Sequence, residues 1–448
     1  MNKGSCSKNP KSKILTLSLL IILPFFLTAC SLSDLPVIGG LFGGSEENGD
    51  GGNTDNNVDI GSASITVWGL WEKKEVMDVL IDRYKEQYPN VNVNYDDRSV
   101  LKPLVEYKTR AFTRATDETG PDVMRVHISW LPALVNSLEP MPSGIMDLST
   151  FQSSFYSVAV DNLVYDGKIY GMPTYHDGLV LVYNKDHFSE IGQTEAPTAW
   201  EEFRRLALDL TIRGEGDEIV RAGAAIGAAD NVDFSSDILG MLFSQAGVEF
   251  PAEVDGRPAQ DALSFYTNFV LEDEVWSEGL PEATVAFSQG KASMIFVPTW
   301  NLLDILAARP DMNVGIAPVP QARPDNPASW ASFWVDVVPQ ASQNPKAAWS
   351  YIAFMAKEEQ QLYAYSQASQ YRVFGSPYSL ISLQAELSEN PYLAPVLESA
   401  SYASTNIMAS RAGNRRQVDA VNESINSILG GRITASEALT TAKLELSR

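Results

Sequence analysis

Residues 64–68 (SITVW) alternate apolar and polar positions and are rich in β-branched side chains, which predicts a strand. Directly after it, Met77, Leu80, Ile81 and Tyr84 recur at i, i+3, i+4 and i+7, the spacing of one helical face. Pro89-Asn90 stops that helix, and Val91, Val93 and Tyr95 alternate as a second strand. Such a strand–helix–strand unit suits a parallel pair joined by a crossover. A further helical stretch, about 101–115, leads through Gly120-Pro121 into a third strand over 122–128.

The same style recurs downstream. Residues 179–183 (LVLVY) predict a buried strand with Asn184-Lys185 at its end. Pro197-Thr198 opens an amphipathic helix over 200–210, with Thr198 as N-cap and Glu201 at N3. The small-residue run 223–227 reads as a short strand, and 293–297 and 314–319 as two more. Residues 345–357 read as helix, and the last hundred residues read mainly as helices, ending with 435–446. Strands alternating with helices argue for an α/β architecture, and no fixed-period repeat is present.

Composition narrows the function. At 448 residues the chain is long enough for about three domains or two large lobes. Lys+Arg total 33 against Asp+Glu 56, a formal charge of −23. That disfavours nucleic-acid binding, which needs a cationic surface. The only cysteines are Cys6 and Cys30, so nothing beyond residue 30 offers a thiol nucleophile or a Cys-ligated zinc. Three scattered histidines, His127, His176 and His187, do not suggest a metal site, and HExxH, GxSxG and P-loop motifs are absent. No metal and no cofactor is expected; a carboxylate-based enzyme remains open.

The N-terminus carries Lys3, Lys8, Lys11 and Lys13, then an apolar run over 14–27 that fits a signal-peptide core. It ends in Leu27-Thr28-Ala29-Cys30, which resembles the bacterial lipobox. The resemblance implies cleavage before Cys30, acylation of its thiol, and an extracytoplasmic protein held to the cell membrane by lipid. The plainer alternative is a secretory signal with an incidental cysteine. Residues 1–29 are thus expected to be a lipoprotein signal peptide. Residues 30–63, dominated by Gly, Asn, Asp and Glu, form a flexible tether spanning on the order of 30 Å.

Five segments, in order, resemble the extracellular solute-binding protein family 1, the carbohydrate-type binding subunits of bacterial ABC importers. They are 65–69 (ITVWG) followed by 74–93 (KEVMDVLIDRYKEQYPNVNV); Gly120-Pro121-Asp122-Val123; 170–185 (YGMPTYHDGLVLVYNK); 196–203 (APTAWEEF); and 287–296 (FSQGKASMIF) running on to Trp300. One departure stands out: where many members carry a glycine pair before a strand, this chain has Ser329-Trp330-Ala331-Ser332, bulkier residues that would reshape a cleft. The resemblance implies a type II periplasmic-binding-protein-like fold, two α/β lobes joined by crossing hinge segments. The N-terminal lobe would hold 64–174 plus 318–365 and the C-terminal lobe 178–315 plus 370–448. A solute, foremost a carbohydrate, would bind between them and pass to ABC permease subunits, with the binding protein itself a monomer.

In α/β sheets ligands lie beyond the carboxyl ends of strands, and sugars need both flat apolar partners and directional polar ones. Trp68 and Glu72 follow the first strand and could stack on a ring and accept a hydroxyl; alternatively Trp68 packs inside the lobe and Glu72 is solvated. Arg125, His127 and Trp130 lie on or past the third strand. Tyr175 and Asp177 sit where the chain crosses between lobes, although Asp177 could simply cap a turn with Gly178. Trp300 matches the family's aromatic platform, and Trp334 lies on a later N-lobe segment. Trp200 and Trp349 are expected in the core. Two rivals stand beside solute capture: a secreted glycoside hydrolase with two facing carboxylates, and a binding protein of the same fold serving a non-sugar solute or a membrane receptor.

Overall fold

The computed structural model describes residues 60–409 and 414–446. The signal-peptide segment, Cys30 and all but the last residues of the expected tether lie outside them. Leaving several short helices and hairpin strands unnumbered, the elements run β1 (Ala63–Gly69), α1 (Lys74–Gln87), β2 (Val91–Asp97), α2 (Leu104–Arg114), β3 (Val123–His127), β4 (Met172–Pro173), β5 (Leu179–Asn184) and α3 (Trp200–Leu210). There follow α4 (Ser235–Gln245), α5 (Arg257–Leu271), β6 (Met294–Pro298), α6 (Thr299–Ala308), β7 (Val314–Ala317), β8 (Ser329–Trp330) and β9 (Trp334–Val337). The chain closes with α7 (Pro345–Met355), α8 (Glu358–Ala368), β10 (Ala403–Ser404), α9 (Arg415–Leu429) and α10 (Ala435–Leu446).

Two main sheets form. The first has the order β2-β1-β3-β9-β4, with β1 parallel to β2 and β3, and β9 antiparallel to β3 and β4. The second, β6-β5-β7, is antiparallel. The helical periodicity of α1 is realised as expected: Met77, Leu80, Ile81 and Tyr84 are all buried. In β2, Val91 and Val93 are buried while Asn92 and Asn94 face solvent. All six residues of β5 are buried, which is why its sequence lacks alternation. Trp200 and Trp349 lie in the core, and α3 and α10 keep the bounds their periodicity predicts.

Two local expectations fail. Thr198 does not cap α3; Ala199 occupies the N-cap, and the Glu202 carboxylate accepts the Thr198 N–H instead. The run 223–227 is not a strand. Ala222 makes a single parallel bridge with Ala292, and the Ala225 N–H reaches the Met294 carbonyl at 2.9 Å. Small side chains let this run lie close to β6 but give it too little side-chain surface to hold a ladder.

Three extended segments cross side by side between the sheets. Tyr175 bridges Tyr378, and Gly178 bridges Ala331, both antiparallel. The His176 N–H donates to Pro377 O at 2.7 Å, Ser332 N–H to Asp177 O at 2.8 Å, and Thr174 N–H to Trp334 O at 3.0 Å. Glycine is required at 178, because a Cβ there would stand 2.0 Å from the Trp330 carbonyl oxygen.

Candidate functional site

A cleft of about 890 Å³ opens beside these crossing segments. It lies where strand ends and crossing backbone converge, as expected for an α/β sheet.

One wall is an aromatic cluster. Trp334, at the start of β9, is half-buried and packs edge-on against Trp71 at 4.8 Å, His127 at 5.1 Å and Trp130 at 5.3 Å. Trp71 sits in the β1–α1 loop, 48% exposed, with φ of 65°, a left-handed conformation that costs a bulky residue on the order of 1–3 kcal/mol. Its N–H is anchored by the Ser99 hydroxyl. His127 is buried, and burial, with Lys108 adding to it, pushes its pKa down to about 3. The imidazole is therefore neutral at ordinary pH; its ring nitrogens meet the hydroxyls of Ser129 at 2.8 Å and Ser332 at 3.2 Å.

The opposite wall is carried by α6. Trp300 stands in its first turn, 46% exposed, with its ring against Phe234 at 5.7 Å. Asp177, on the crossing segment, holds this helix start in place. Its carboxylate accepts N–H groups from Gly178 at 2.7 Å, Thr299 at 3.0 Å and Trp300 at 3.3 Å. Burial pushes Asp177 up to about 6, against the lowering effect of these hydrogen bonds. Asp177 thus caps the turn with Gly178 and orients Trp300 while still bordering the cleft.

Beneath the aromatic wall lies a buried charge network. Arg125, on β3, grips Asp336 of β9 through two hydrogen bonds, 2.9 and 3.0 Å, and reaches the Tyr175 hydroxyl at 3.2 Å. Tyr175 donates to Glu72, which also lies 3.9 Å from Arg125. Burial raises the Glu72 pKa, opposed by Arg125 and then Arg372. Burial opposes the charge of Arg125 too, but Asp336 outweighs it and moves the guanidinium above its ordinary value. Glu72 and Tyr175 border the cleft; Arg125 and Asp336 line a smaller cavity below it.

The structure therefore brings Glu72, His127, Tyr175, Asp177, Trp300 and Trp334 to one cleft. Trp68 and Trp130 are not among its lining. Trp68 is buried in β1 with the Arg98 guanidinium 4.3 Å from its ring, and Trp130 is the buried backing of Trp334. The departure at residues 329–332 does not fill the cleft either. Trp330 points into α4, where its indole N–H donates to Asp237 at 2.9 Å and its ring lies against Gly240; a Cβ there would meet it at 2.6 Å. Of residues 329–332, Ser332 alone reaches the cleft wall.

Sequence reasoning missed Trp71, Phe234, Arg372, Phe374 and Arg415, which also line the cleft. For Trp71 a signal existed: it lies in the loop past β1, whereas Trp68 lies within the strand's alternation. Arg372 and Phe374 reach the cleft only because Tyr378 pairs with Tyr175, a long-range contact that no local pattern announces.

The family model for bacterial extracellular solute-binding proteins matches residues 70–362, well over half of the chain. This chain belongs to that family. Like this solute-binding protein, a maltooligosaccharide ABC transporter solute-binding lipoprotein of Streptococcus pneumoniae aligns over 222 residues at 25% identity, 46% of this chain and 49% of that one. Among solved structures, an ABC transporter solute-binding protein of Thermotoga lettingae bound with alpha-D-tagatose superposes with a TM-score of 0.65 at 20% identity, covering 86% of this chain and 99% of that one. The cyclic alpha-maltosyl-1,6-maltose binding protein of Arthrobacter globiformis gives a TM-score of 0.68 at 20% identity, covering 86% and 98%. These likenesses establish the two-lobed fold of the family for this solute-binding protein.

Proposed function

We propose that this chain is the substrate-binding subunit of an ABC importer, which captures a sugar or oligosaccharide in its cleft, closes on it, and hands it unaltered to permease subunits. The observation that carries this reading is the pairing of aromatic surface on both sides of one cleft, Trp71 and Trp334 on one wall and Trp300 on the other, with polar groups between them. Aromatic faces match the C–H surfaces of sugar rings, and the Ser332 hydroxyl, which the neutral His127 orients at 3.2 Å, offers a polar partner for a sugar hydroxyl. The names of the relatives from Streptococcus pneumoniae and Arthrobacter globiformis, both sugar binders, support the same ligand class.

The three crossing segments would act as the hinge, with 64–174 plus 318–365 moving against 178–315 plus 370–448. Closure is favoured only by contacts that exist in the closed state, so a ligand touching both walls is what would shift the balance. Binding rather than hydrolysis is supported by how the carboxylates are used. Glu72 is buried against Tyr175 and Arg125, and Asp177 is committed to backbone N–H groups. Neither is held ready for proton transfer to a glycosidic oxygen. Acylation at Cys30 would hold the monomer on the outer side of the cell membrane.

A thermal-shift screen of the purified protein against mono- and oligosaccharides tests this. At least one saccharide should raise the melting temperature by several degrees and be recovered uncut by chromatography. Stabilisation by amino acids, peptides or polyamines with none by any saccharide would contradict it.

A further inference from the structure

Asn414 stands at the start of α9, yet its side chain is spent away from the helix. An asparagine in this place ordinarily caps, its side-chain oxygen accepting an N–H of the first turn. Here the side chain makes no such bond. The backbone carbonyl serves the helix, accepting the N–H groups of Gln417 at 2.8 Å and Val418 at 3.0 Å. The amide reaches outward instead. Its Oδ1 accepts from the Lys108 ammonium of α2 at 2.9 Å, and its Nδ2 donates to Ser129 O at 2.7 Å and Ile407 O at 3.0 Å. Carbonyls against one end and an ammonium against the other allow this amide a single orientation.

The two ends of this tie belong to opposite sides of the cleft. Lys108 and Ser129 go with the first sheet: Ser129 follows β3, and Tyr107, beside Lys108, donates to Arg125 O of β3 at 2.7 Å. The helix α9 goes with the second. It packs on α4, α5 and α10, and the Ser235 hydroxyl of α4 donates to Asn422 at 3.1 Å. Phe269 of α5 meets Phe203 of α3 at 5.6 Å, and Phe203 meets Phe296 of β6 at 5.2 Å. The tie also stands at the cleft's edge. Leu104 and Val105 of α2 and Arg415, Val418 and Asp419 of α9 line the cleft, whereas Asn414 does not. A contact that spans the two sides is lost when they part, so it favours the closed state without any contact to cargo.

We propose that Asn414 is an interlobe clasp, a positioning residue that prolongs the stay of bound cargo by tying α9 to the β3–α2 side of the cleft. This rests on the sugar-binding reading above for the cargo it retains.

Stopped-flow tryptophan fluorescence and urea titration of the purified protein test it, the probe being whichever of maltose, maltotetraose, galactotetraose and mannotetraose binds most tightly. Asn414→Ala should speed dissociation by about 5- to 30-fold while the association rate moves by less than about threefold. Lys108→Met, which keeps an apolar stem against Trp130, should speed it by about 3- to 10-fold. The double variant should fall within about twofold of Asn414→Ala, because both changes act through one contact. The urea midpoint of the cargo-free protein should stay that of the wild type in Asn414→Ala. Should that variant fold poorly, Lys108→Met carries the test. Dissociation as slow as the wild type's in both variants, or a lowered cargo-free midpoint without faster release, would place the contact inside one rigid body; it would overturn the clasp and leave sugar capture standing. Failure of the wild type to bind any saccharide would overturn both.

Discussion

The two walls of the cleft are built by opposite means. On the β1–β3–β9 side, the aromatic surface of Trp71 and Trp334 rests on a buried network of Arg125, Asp336, Tyr175 and Glu72, tied together by side-chain hydrogen bonds. On the α6 side, Trp300 stands on a helix start whose first backbone N–H groups are held by the single carboxylate of Asp177. The first wall is fixed by charges that satisfy one another, the second by a charge that satisfies backbone. Removing one member should therefore damage the first wall far more than the second, because a buried network leaves its remaining charges stranded.

The largest effect is expected at Arg125. Arg125→Met strands Asp336 and Glu72 in the interior and should lower the unfolding free energy by about 3–5 kcal/mol in urea titration. The double variant Arg125→Met with Asp336→Leu should recover much of that loss. A single substitution costing under about 1 kcal/mol would mean the network does not hold the wall.

Asp177 gives a smaller, pH-dependent effect. Its folded-state pKa of about 6 stands above the ordinary 3.8. The folded protein then binds more protons than the unfolded chain across that interval, so this group's stabilising contribution is fully present below it and declines as pH rises through it. Relative to Asp177→Asn, the wild type should lose on the order of 2–3 kcal/mol between about pH 4 and pH 7, read from paired urea titrations. A difference that is flat with pH would contradict the assigned burial.

Tyr175→Phe removes the donor to Glu72 without changing ring packing, and should cost about 1–2 kcal/mol. The smallest stability effect belongs to Trp300→Ala. Nearly half of that side chain is already exposed, so the melting temperature of the free protein should barely move, while saccharide-induced stabilisation should be lost. Equal stability losses at Trp300 and Arg125 would erase the contrast between the walls.

How much of this was legible beforehand follows from the range of each interaction. The α1, α3 and α10 helices could be read because apolar periodicity is a local property. The run 223–227 could not, because its state depends on its distant neighbour Ala292. The strand-end rule led to Glu72, His127 and Trp300, and the crossing segment to Tyr175 and Asp177. It stopped one loop short at Trp68 and missed Trp71, whose backbone turns into the left-handed region just beyond the strand. Trp130 was a reasonable aromatic to choose, but only three dimensions show that it backs Trp334 rather than facing the cleft. Arg372 and Phe374 arrive from a segment nearly two hundred residues from its partner at Tyr175, beyond any pattern within the chain.

The central claim is that a saccharide is held, whole, between these walls. A crystal structure of the protein grown with the saccharide that most raises its melting temperature tests it directly. The account predicts an intact oligosaccharide in the cleft, with one ring face on Trp300 and another on Trp71 or Trp334. A sugar bound elsewhere with the cleft empty, or a cleaved product in the cleft, would contradict it.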